Sequence, residues 1–123
     1  MFIGQRPSFT ALFKDYLAAF NEHNLEKTLS FLSPSLVFYK GDTVVHSSHE
    51  KFVSSYQDHW SQLSHPITIH GEVEETEDGV IVVLDDVDRG GRAIVQYHFA
   101  QEGGVWLHVR HVVKDVVPLP MGD

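Results

Sequence analysis

Apolar residues in the first part of the chain recur at helical spacing. Six of them fall three or four positions apart within residues 8–24, which predicts an amphipathic helix with one apolar stripe. These residues are Phe9, Leu12, Phe13, Tyr16, Leu17 and Phe20. Asn24 fits the N-cap of a second, short helix at residues 25–32. Pro34 prevents that helix from continuing.

The next segment predicts two short strands and a third helix. Residues 36–39 and Thr43–His46 are the strands, joined by a turn. Ser47 and Glu50 match a capping box, in which each of the two side chains accepts a hydrogen bond from the backbone N–H of the other residue. The helix presents one apolar face, which contains Phe52, Val53, Tyr56, Trp60 and Leu63. Pro66 ends the helical pattern.

After Pro66 the spacing changes to the alternation of strands. Four strands are predicted at residues 67–76, 80–88, 92–100 and 105–117, separated by glycine-containing hairpin turns. Helices followed by a meander indicate an α+β fold, with three helices packed on one face of a curved, mostly antiparallel sheet. A length of 123 residues suits one domain, 1–123. The curved sheet and the helices should enclose a conical cavity, the expected binding site.

Two segments resemble the nuclear transport factor 2-like superfamily, and within it the SnoaL-like group. They are residues 16–25, YLAAFNEHNL, and residues 31–38, FLSPSLVF. The resemblance implies a cystatin-like cone over nearly the whole chain. Ketosteroid isomerases, polyketide cyclases, dehydratases and noncatalytic binding or association domains share that fold. The resemblance therefore predicts a fold more closely than a function.

A distant similarity to ketosteroid isomerase extends to two tyrosines. The resemblance places Tyr16 where that enzyme has its oxyanion tyrosine and Tyr56 near a supporting tyrosine. The isomerase also needs an aspartate base and a protonated aspartic acid. Their positions fall on Lys40 and Tyr97 in this sequence. Steroid isomerisation by that mechanism is therefore not expected.

Residue parity predicts which strand side chains enter the cavity, because successive residues point to opposite faces. The resemblance turns the odd-numbered residues of strand 92–100 inward, and apolar content favours the odd-numbered residues of strands 80–88 and 105–117. Asp85 and His111 then stand alone among apolar neighbours. This arrangement predicts an acid/base pair in the cavity.

The expected catalytic set combines these two proton carriers with three phenols. Asp85 and His111 would move protons, while Tyr16, Tyr56 and Tyr97 would donate to a carbonyl or enolate oxygen. The expected apolar wall of the ligand site consists of Phe20, Phe38, Trp60, Val83, Val95, Phe99 and Val109.

Alternatives stay open for these assignments. If Gly103 and Gly104 form a strict two-residue turn, the inward set of the last strand becomes Trp106, His108, Arg110 and Val112, because a one-residue slip exchanges the two faces. That set would suit an anionic ligand. Asp85 also fits a solvated strand end, and His111 fits a core histidine bonded to backbone.

Composition limits the partners. A net charge of −8 with scattered Lys and Arg disfavours nucleic acid. No apolar run approaches the ~20 residues of a membrane span, and no secretory leader is recognisable, so we expect a cytoplasmic protein. The chain has no cysteine. His108 and His111, three apart on a strand, should point to opposite faces and therefore could not bind one metal ion together. We expect no metal and no other cofactor.

The outer face of the sheet predicts a protein interface. It mixes aromatic, cationic and apolar side chains, as interfaces do. The expected members are Ile94, Gln96, His98, Trp106, His108, Arg110 and Val112. The resemblance implies a two-fold homodimer through this face.

Two functions follow for the cavity. The first is a cofactor-independent lyase, cyclase or isomerase that acts on a hydrophobic carbonyl compound, polyketide- or terpenoid-like in character. The second is a noncatalytic ligand-binding or dimerisation module of the same fold. Both functions imply that the cavity binds a small hydrophobic molecule, and the sequence leaves open whether the protein is an enzyme.

Overall fold

The structure is a computed structural model that describes residues 7–46, 49–62 and 64–120. The helices are α1 Phe9–Asn21, α2 Leu25–Ser30 and α3 His49–Gln62. The strands are β1 Leu32–Lys40, β2 Thr43–His46, β3 Thr68–Ile69, β4 Glu74–Glu75, β5 Gly79–Asp86, β6 Gly91–Glu102 and β7 Val105–Pro118. The predicted cap at Ser47 and the predicted helix residue Leu63 lie outside the described residues.

The described strands form one curved sheet in the order β2-β1-β7-β6-β5-β3, with β4 also paired to β5. All pairs are antiparallel except β1 with β7. Helix α1 begins where the Ser8 side chain accepts a hydrogen bond from the Ala11 N–H, and its apolar stripe packs on the sheet. The predicted α+β cone with helices on one face is confirmed. No helix in the described ranges is long and apolar enough to cross a membrane.

The largest differences from the predicted element boundaries lie at the α2–β1 junction and in strand 67–76. Helix α2 ends at Ser30 and β1 begins at Leu32, four residues before the predicted strand, because the Phe31 carbonyl accepts a hydrogen bond from the His108 N–H of β7. The predicted strand 67–76 is divided into β3 and β4. Gly71 lies between them with a φ of +76°, a conformation that turns the chain and suits glycine.

The narrow end of the cone is filled by aromatic rings from α1 and the β6–β7 hairpin. Phe9 and Phe13 are fully buried. Phe9 stacks on Phe99 with ring centroids 5.2 Å apart and meets the edge of Trp106 at 5.5 Å. Phe13 lies 4.7 Å from Tyr97. This packing fixes α1 against the sheet, and it positions the polar residues that lie further along the same helix.

The last turn of α1 is tied to the segment that leads into β3. The Asn21 side-chain amide donates to the Ile67 carbonyl at 2.9 Å, and its oxygen accepts from the Ile67 N–H at 3.0 Å. One side chain thus satisfies both backbone groups of a buried residue, as a neighbouring strand would. Nearby, the Asp88 carboxylate accepts from the backbone N–H groups of Ser64 and His65, which holds the chain after α3 to the β5–β6 turn.

We expect Asn21→Leu to lower the free energy of unfolding by about 1–3 kcal/mol, because it leaves the buried Ile67 N–H and C=O without partners. Asn21→Asp keeps the acceptor and should lose less. Chemical denaturation followed by circular dichroism measures both variants, with the exposed neighbour Glu22→Ala as control. A loss for Asn21→Leu no larger than that of the control would contradict the assignment.

Candidate functional site

The turn between β6 and β7 decides which side chains of β7 enter the cone. Gly103 and Gly104 form a two-residue turn with φ values of +58° and +84°, and the residues that flank it pair directly. Trp106 and His108 therefore point inward, as the open alternative predicted. The preferred expectation, with odd-numbered residues inward, is wrong for this part of the strand.

A β-bulge at Val109 then reverses the parity. His108 pairs with Phe99 and Arg110 pairs with His98, which leaves Val109 without a partner across the ladder. Beyond the bulge His111 pairs with Tyr97, so His111 points inward as well. The prediction that the two histidines occupy opposite faces is wrong because it assumed a regular strand. The predicted inward position of His111 is confirmed.

The turn and the bulge together correct three other expectations. Arg110 lies on the outer face and does not join His108 in the cone. Val109, expected in the ligand wall, is the unpaired bulge residue. Trp106 and His108 are absent from the outer face, where the predicted interface had included them.

Strand β5 presents the opposite face from the one predicted. Val80 pairs with Tyr97 and Val82 pairs with Val95, and both valines are buried. The odd-numbered residues, Val83 and Asp85 among them, therefore lie on the outer face. Both faces of this strand are apolar in sequence, so hydrophobic content carried no information about its orientation.

Asp85 is engaged by Arg92 on that outer face. Its two carboxylate oxygens accept hydrogen bonds from the Arg92 side chain at 2.7 and 3.0 Å. These hydrogen bonds lower the pKa of Asp85. The expected acid/base pair of Asp85 with His111 does not form, because the sheet separates the two side chains.

Five inward side chains form what we call the tyrosine–histidine cluster: Tyr16, Tyr56, Tyr97, His108 and His111. The Tyr16 and Tyr56 hydroxyls are 2.8 Å apart and share a hydrogen bond between α1 and α3. The His108 ring centroid lies 4.6 Å from that of Tyr16, and the His111 centroid lies 4.4 Å from that of Tyr97. Of the predicted phenols, Tyr97 contacts His111, and both Tyr16 and Tyr97 contact His108.

Burial keeps every member of the cluster neutral at physiological pH. Tyr97 and His108 are only 3% and 1% exposed. Burial raises the pKa of Tyr16 to about 12 and raises that of Tyr56 and Tyr97. Burial lowers the pKa of His108 to about 3 and also lowers that of His111. The cluster thus offers neutral donors and acceptors and carries no charge.

Three buried side-chain nitrogens near the cluster lack a hydrogen-bond partner among the described residues. They are His59 Nε2, Trp60 Nε1 and His108 Nε2. Most buried polar atoms in folded proteins are paired, since an unpaired one costs about 1–3 kcal/mol. Unpaired nitrogens beside a tyrosine pair indicate where a bound molecule would find hydrogen-bonding groups.

Aromatic and aliphatic side chains surround the cluster. Phe38 stacks on His111 at 4.4 Å between ring centroids, and Phe20 meets Tyr56 at 5.5 Å. Trp60 lies 5.8 Å from Tyr56, and the predicted wall residues Val95 and Phe99 are buried on the inner face of β6. Phe38, Trp60 and His111 remain partly exposed. The cone is therefore open to solvent at these three residues.

Two surface clefts lie away from the cluster. One, of about 360 Å³, is lined by Thr10, Lys14, Ile69, Gly71, Glu72 and Val73. The other, of about 350 Å³, is lined by Asn21, His23, Ser64, His65 and Pro66. Within the described ranges no group of three or more His, Asp or Glu side chains is placed to hold a metal ion. A cluster with two histidines supplies fewer ligands than a protein zinc site normally has.

The lowered pKa of His108 gives a signed prediction for stability. His108 stays neutral in the folded protein, whereas an unfolded histidine is protonated below about pH 6.5. The contribution of His108 to the free energy of unfolding is therefore complete above that pH and is lost as the pH falls toward about 3. His108→Phe should reduce the acid-side slope of the unfolding free energy by up to about 1.4 kcal/mol per pH unit. Urea denaturation at several pH values measures the slope. The exposed His70→Phe serves as control, and an unchanged slope in His108→Phe would refute the prediction.

Comparison with known proteins finds similarity in structure. No family model matches the sequence, and no curated protein matches it significantly. A protein with a cystatin-like fold from Caulobacter vibrioides superposes with a TM-score of 0.69 at 13% identity, covering 87% of this chain and 85% of that one. An NTF2-like protein from Pseudomonas putida KT2440 gives a TM-score of 0.65 at 9% identity, covering 85% and 81%.

A third solved structure is described as an association domain of calcium/calmodulin-dependent protein kinase II, from Xanthomonas campestris. It gives a TM-score of 0.64 at 16% identity and covers 93% of this chain and 91% of that one. Identities this low establish the common architecture and leave the role of each protein separate. With the described helices packed on a curved sheet, the chain has the cystatin-like fold seen in these nuclear transport factor 2-like structures.

Proposed function

We propose that the cone binds a small, neutral and largely apolar molecule that carries a hydrogen-bond acceptor such as a carbonyl oxygen. The observation that carries this proposal is the composition of the open end, where one partly exposed imidazole, His111, lies among aromatic side chains above the buried Tyr16–Tyr56 pair. Binding pockets of this kind are mostly apolar, with a few polar groups that orient the ligand.

The charge of the interior favours a neutral ligand. The fully buried polar side chains among the described residues, tyrosines apart, are Thr28, Ser33 and His108, none of them ionised at neutral pH. An anion would lose its hydration there without gaining a cationic partner. A neutral carbonyl oxygen loses less hydration and can accept a hydrogen bond from an imidazole or a phenol.

The same groups favour binding over acid/base catalysis. A general base works best when its pKa lies near the pH of the reaction. Burial has moved the pKa of His108 and His111 well below that range, and Asp85 lies on the other side of the sheet. A neutral imidazole can still polarise a carbonyl as a hydrogen-bond donor. The described residues thus supply the donors for a carbonyl more clearly than they supply a base.

Acetophenone and ethylbenzene provide a matched pair of probes, since they share an aromatic ring and differ in the carbonyl group. We expect amide signals of β7 and the Trp60 indole signal to shift in nitrogen-15 NMR titrations with acetophenone. His111→Leu should weaken acetophenone binding about five- to tenfold, the loss of one hydrogen bond. The same substitution should leave the affinity for ethylbenzene unchanged.

His98→Leu is the matched control, because His98 follows the inward Tyr97 on β6 but lies on the outer face, hydrogen-bonded to Asp78. It should leave acetophenone binding unchanged. Equal affinity of the wild-type protein for the two probes, or no effect of His111→Leu, would refute the carbonyl site.

We also propose that two copies of the chain associate through the outer sheet face. Apolar side chains remain partly exposed in the middle of that face, at Ile81, Val83, Ile94 and Val112. Arg110 lies nearby with its guanidinium 5.6 Å from the ring of Tyr39. An apolar patch with an arginine and a tyrosine is typical of interface centres.

Ile94→Asp should convert a wild-type dimer to a monomer at micromolar concentration, because it would bury unpaired charges at the centre of the contact. Sedimentation equilibrium gives the mass. Val87→Asp, an exposed valine in the β5–β6 turn, should leave the dimer intact. A monomeric wild-type protein would contradict the proposal.

A further inference from the structure

We propose that the cleft beside the segment after α3 is a hydrolytic site, in which His65 acts as a general base on small acyl esters. The cleft has a volume of about 350 Å³ and is lined by Asn21, His23, Ser64, His65 and Pro66. A volume at the small end of the range for ligand pockets suits a short acyl group. The cleft lies away from the tyrosine–histidine cluster, and its chemistry is independent of the ligand proposed for the cone.

The Asp88 carboxylate fixes the orientation of the His65 ring. His65 Nδ1 lies 2.9 Å from Asp88 Oδ1, which is hydrogen-bond distance. An ionised carboxylate can only accept, so the ring proton lies on Nδ1 and the lone pair on Nε2. No described residue bonds Nε2, and the side chain of His65 is 60% exposed. The basic nitrogen is therefore accessible to a molecule in the cleft.

Asp88 is itself held in place through both of its oxygens. Oδ2 accepts from the backbone N–H groups of Ser64 and His65 at 2.9 and 2.8 Å, and the Ser64 hydroxyl donates to Oδ1 at 3.1 Å. The hydrogen bonds from His65 and Ser64 lower the pKa of Asp88 to about 2, so the carboxylate is ionised at neutral pH. A fixed anion at this place stabilises the imidazolium that forms when Nε2 takes up a proton.

A second imidazole lines the same cleft, that of His23, which follows α1. Its φ of +59° lies in the left-handed region, which is uncommon for a residue with a side chain. Its ring stacks on Trp60 with centroids 5.2 Å apart and an interplanar angle of 18°. Backbone and stacking together fix a hydrogen-bond donor at the cleft, where it can serve the carbonyl oxygen of an ester.

The reaction is ester hydrolysis, with water as the second substrate. His65 Nε2 takes a proton from water while the water oxygen forms a bond to the acyl carbon, and the resulting oxyanion accepts a hydrogen bond from His23. The bond between the acyl carbon and the alcohol oxygen then breaks. The proton moves from Nε2 to the departing oxygen, which yields a carboxylic acid, an alcohol and neutral His65.

Hydrolysis of para-nitrophenyl acetate tests the inference, with the release of para-nitrophenolate followed by absorbance. The wild-type rate should saturate with substrate concentration, because the ester occupies a cleft. His65→Gln should lower kcat/KM about 100-fold, the usual contribution of a positioned base. A wild-type rate that never saturates, or an unchanged rate in His65→Gln, would refute the site.

His70→Gln is the matched control. The side chain of His70 is 54% exposed and lies 3.9 Å from the carboxylate of Asp85, but His70 does not line the cleft. This substitution should leave the rate unchanged. Equal losses in His65→Gln and His70→Gln would show that any exposed histidine serves, and would overturn the assignment to the cleft.

Asp88 is a positioning residue, and the tautomer of His65 reports its role. Long-range nitrogen-15 spectra of the wild-type imidazole should show the proton on Nδ1, and Asp88→Asn should reduce that preference. The same variant should lower kcat at least about tenfold, because the orienting charge is lost. A wild-type proton on Nε2 would contradict the proposed base.

His23→Asn removes the second imidazole and keeps the backbone, since asparagine adopts the left-handed region readily. We expect kcat to fall about tenfold, because an exposed donor contributes less than a buried oxyanion hole. Amide spectra confirm that each variant is folded. Acetophenone should not compete with the ester, and competitive inhibition would place the reaction in the cone and refute the inference.

Discussion

The pairing of β6 with β7 is the constraint on which the rest of the molecule depends. It is the longest ladder in the sheet, and it carries two irregularities, at Val109 and at Lys114. Without the first, His108 and His111 would lie on opposite faces. With it, both histidines contact Tyr97 inside the cone, and His108 also contacts Tyr16. One unpaired residue in a strand therefore decides the chemistry of the interior.

The polar interior is stable because its groups are neutral and partly satisfied by one another. The Tyr16–Tyr56 hydrogen bond pairs two hydroxyls that would each cost free energy if buried alone. His108 Nε2 has no such partner among the described residues. The aromatic packing of Phe9 and Phe13 at the narrow end supplies apolar burial that offsets this penalty.

The helices and the hairpins could be predicted from the sequence because both follow local patterns. The 3.6-residue spacing of Phe9 to Phe20 and the Gly103–Gly104 turn are examples. The orientation of β5 could not be predicted, since valine and isoleucine occupy both of its faces and its register is set by pairing with β6. The bulge at Val109 has no local signal in the sequence either, since it shows only in the register between β6 and β7. The division of strand 67–76 occurs around Gly71, whose φ of +76° turns the chain between β3 and β4.

These limits bear directly on the function. A regular β7 would have offered either His111 alone or His108 with Arg110, the second a site for an anion. The bulge instead gathers two neutral imidazoles and excludes the guanidinium, which lies against Tyr39 on the outer face. Asp85 is likewise held outside by Arg92. Arg110 and Asp85, the two charged residues that the sequence analysis considered for the cone, thus both lie on the opposite side of the sheet.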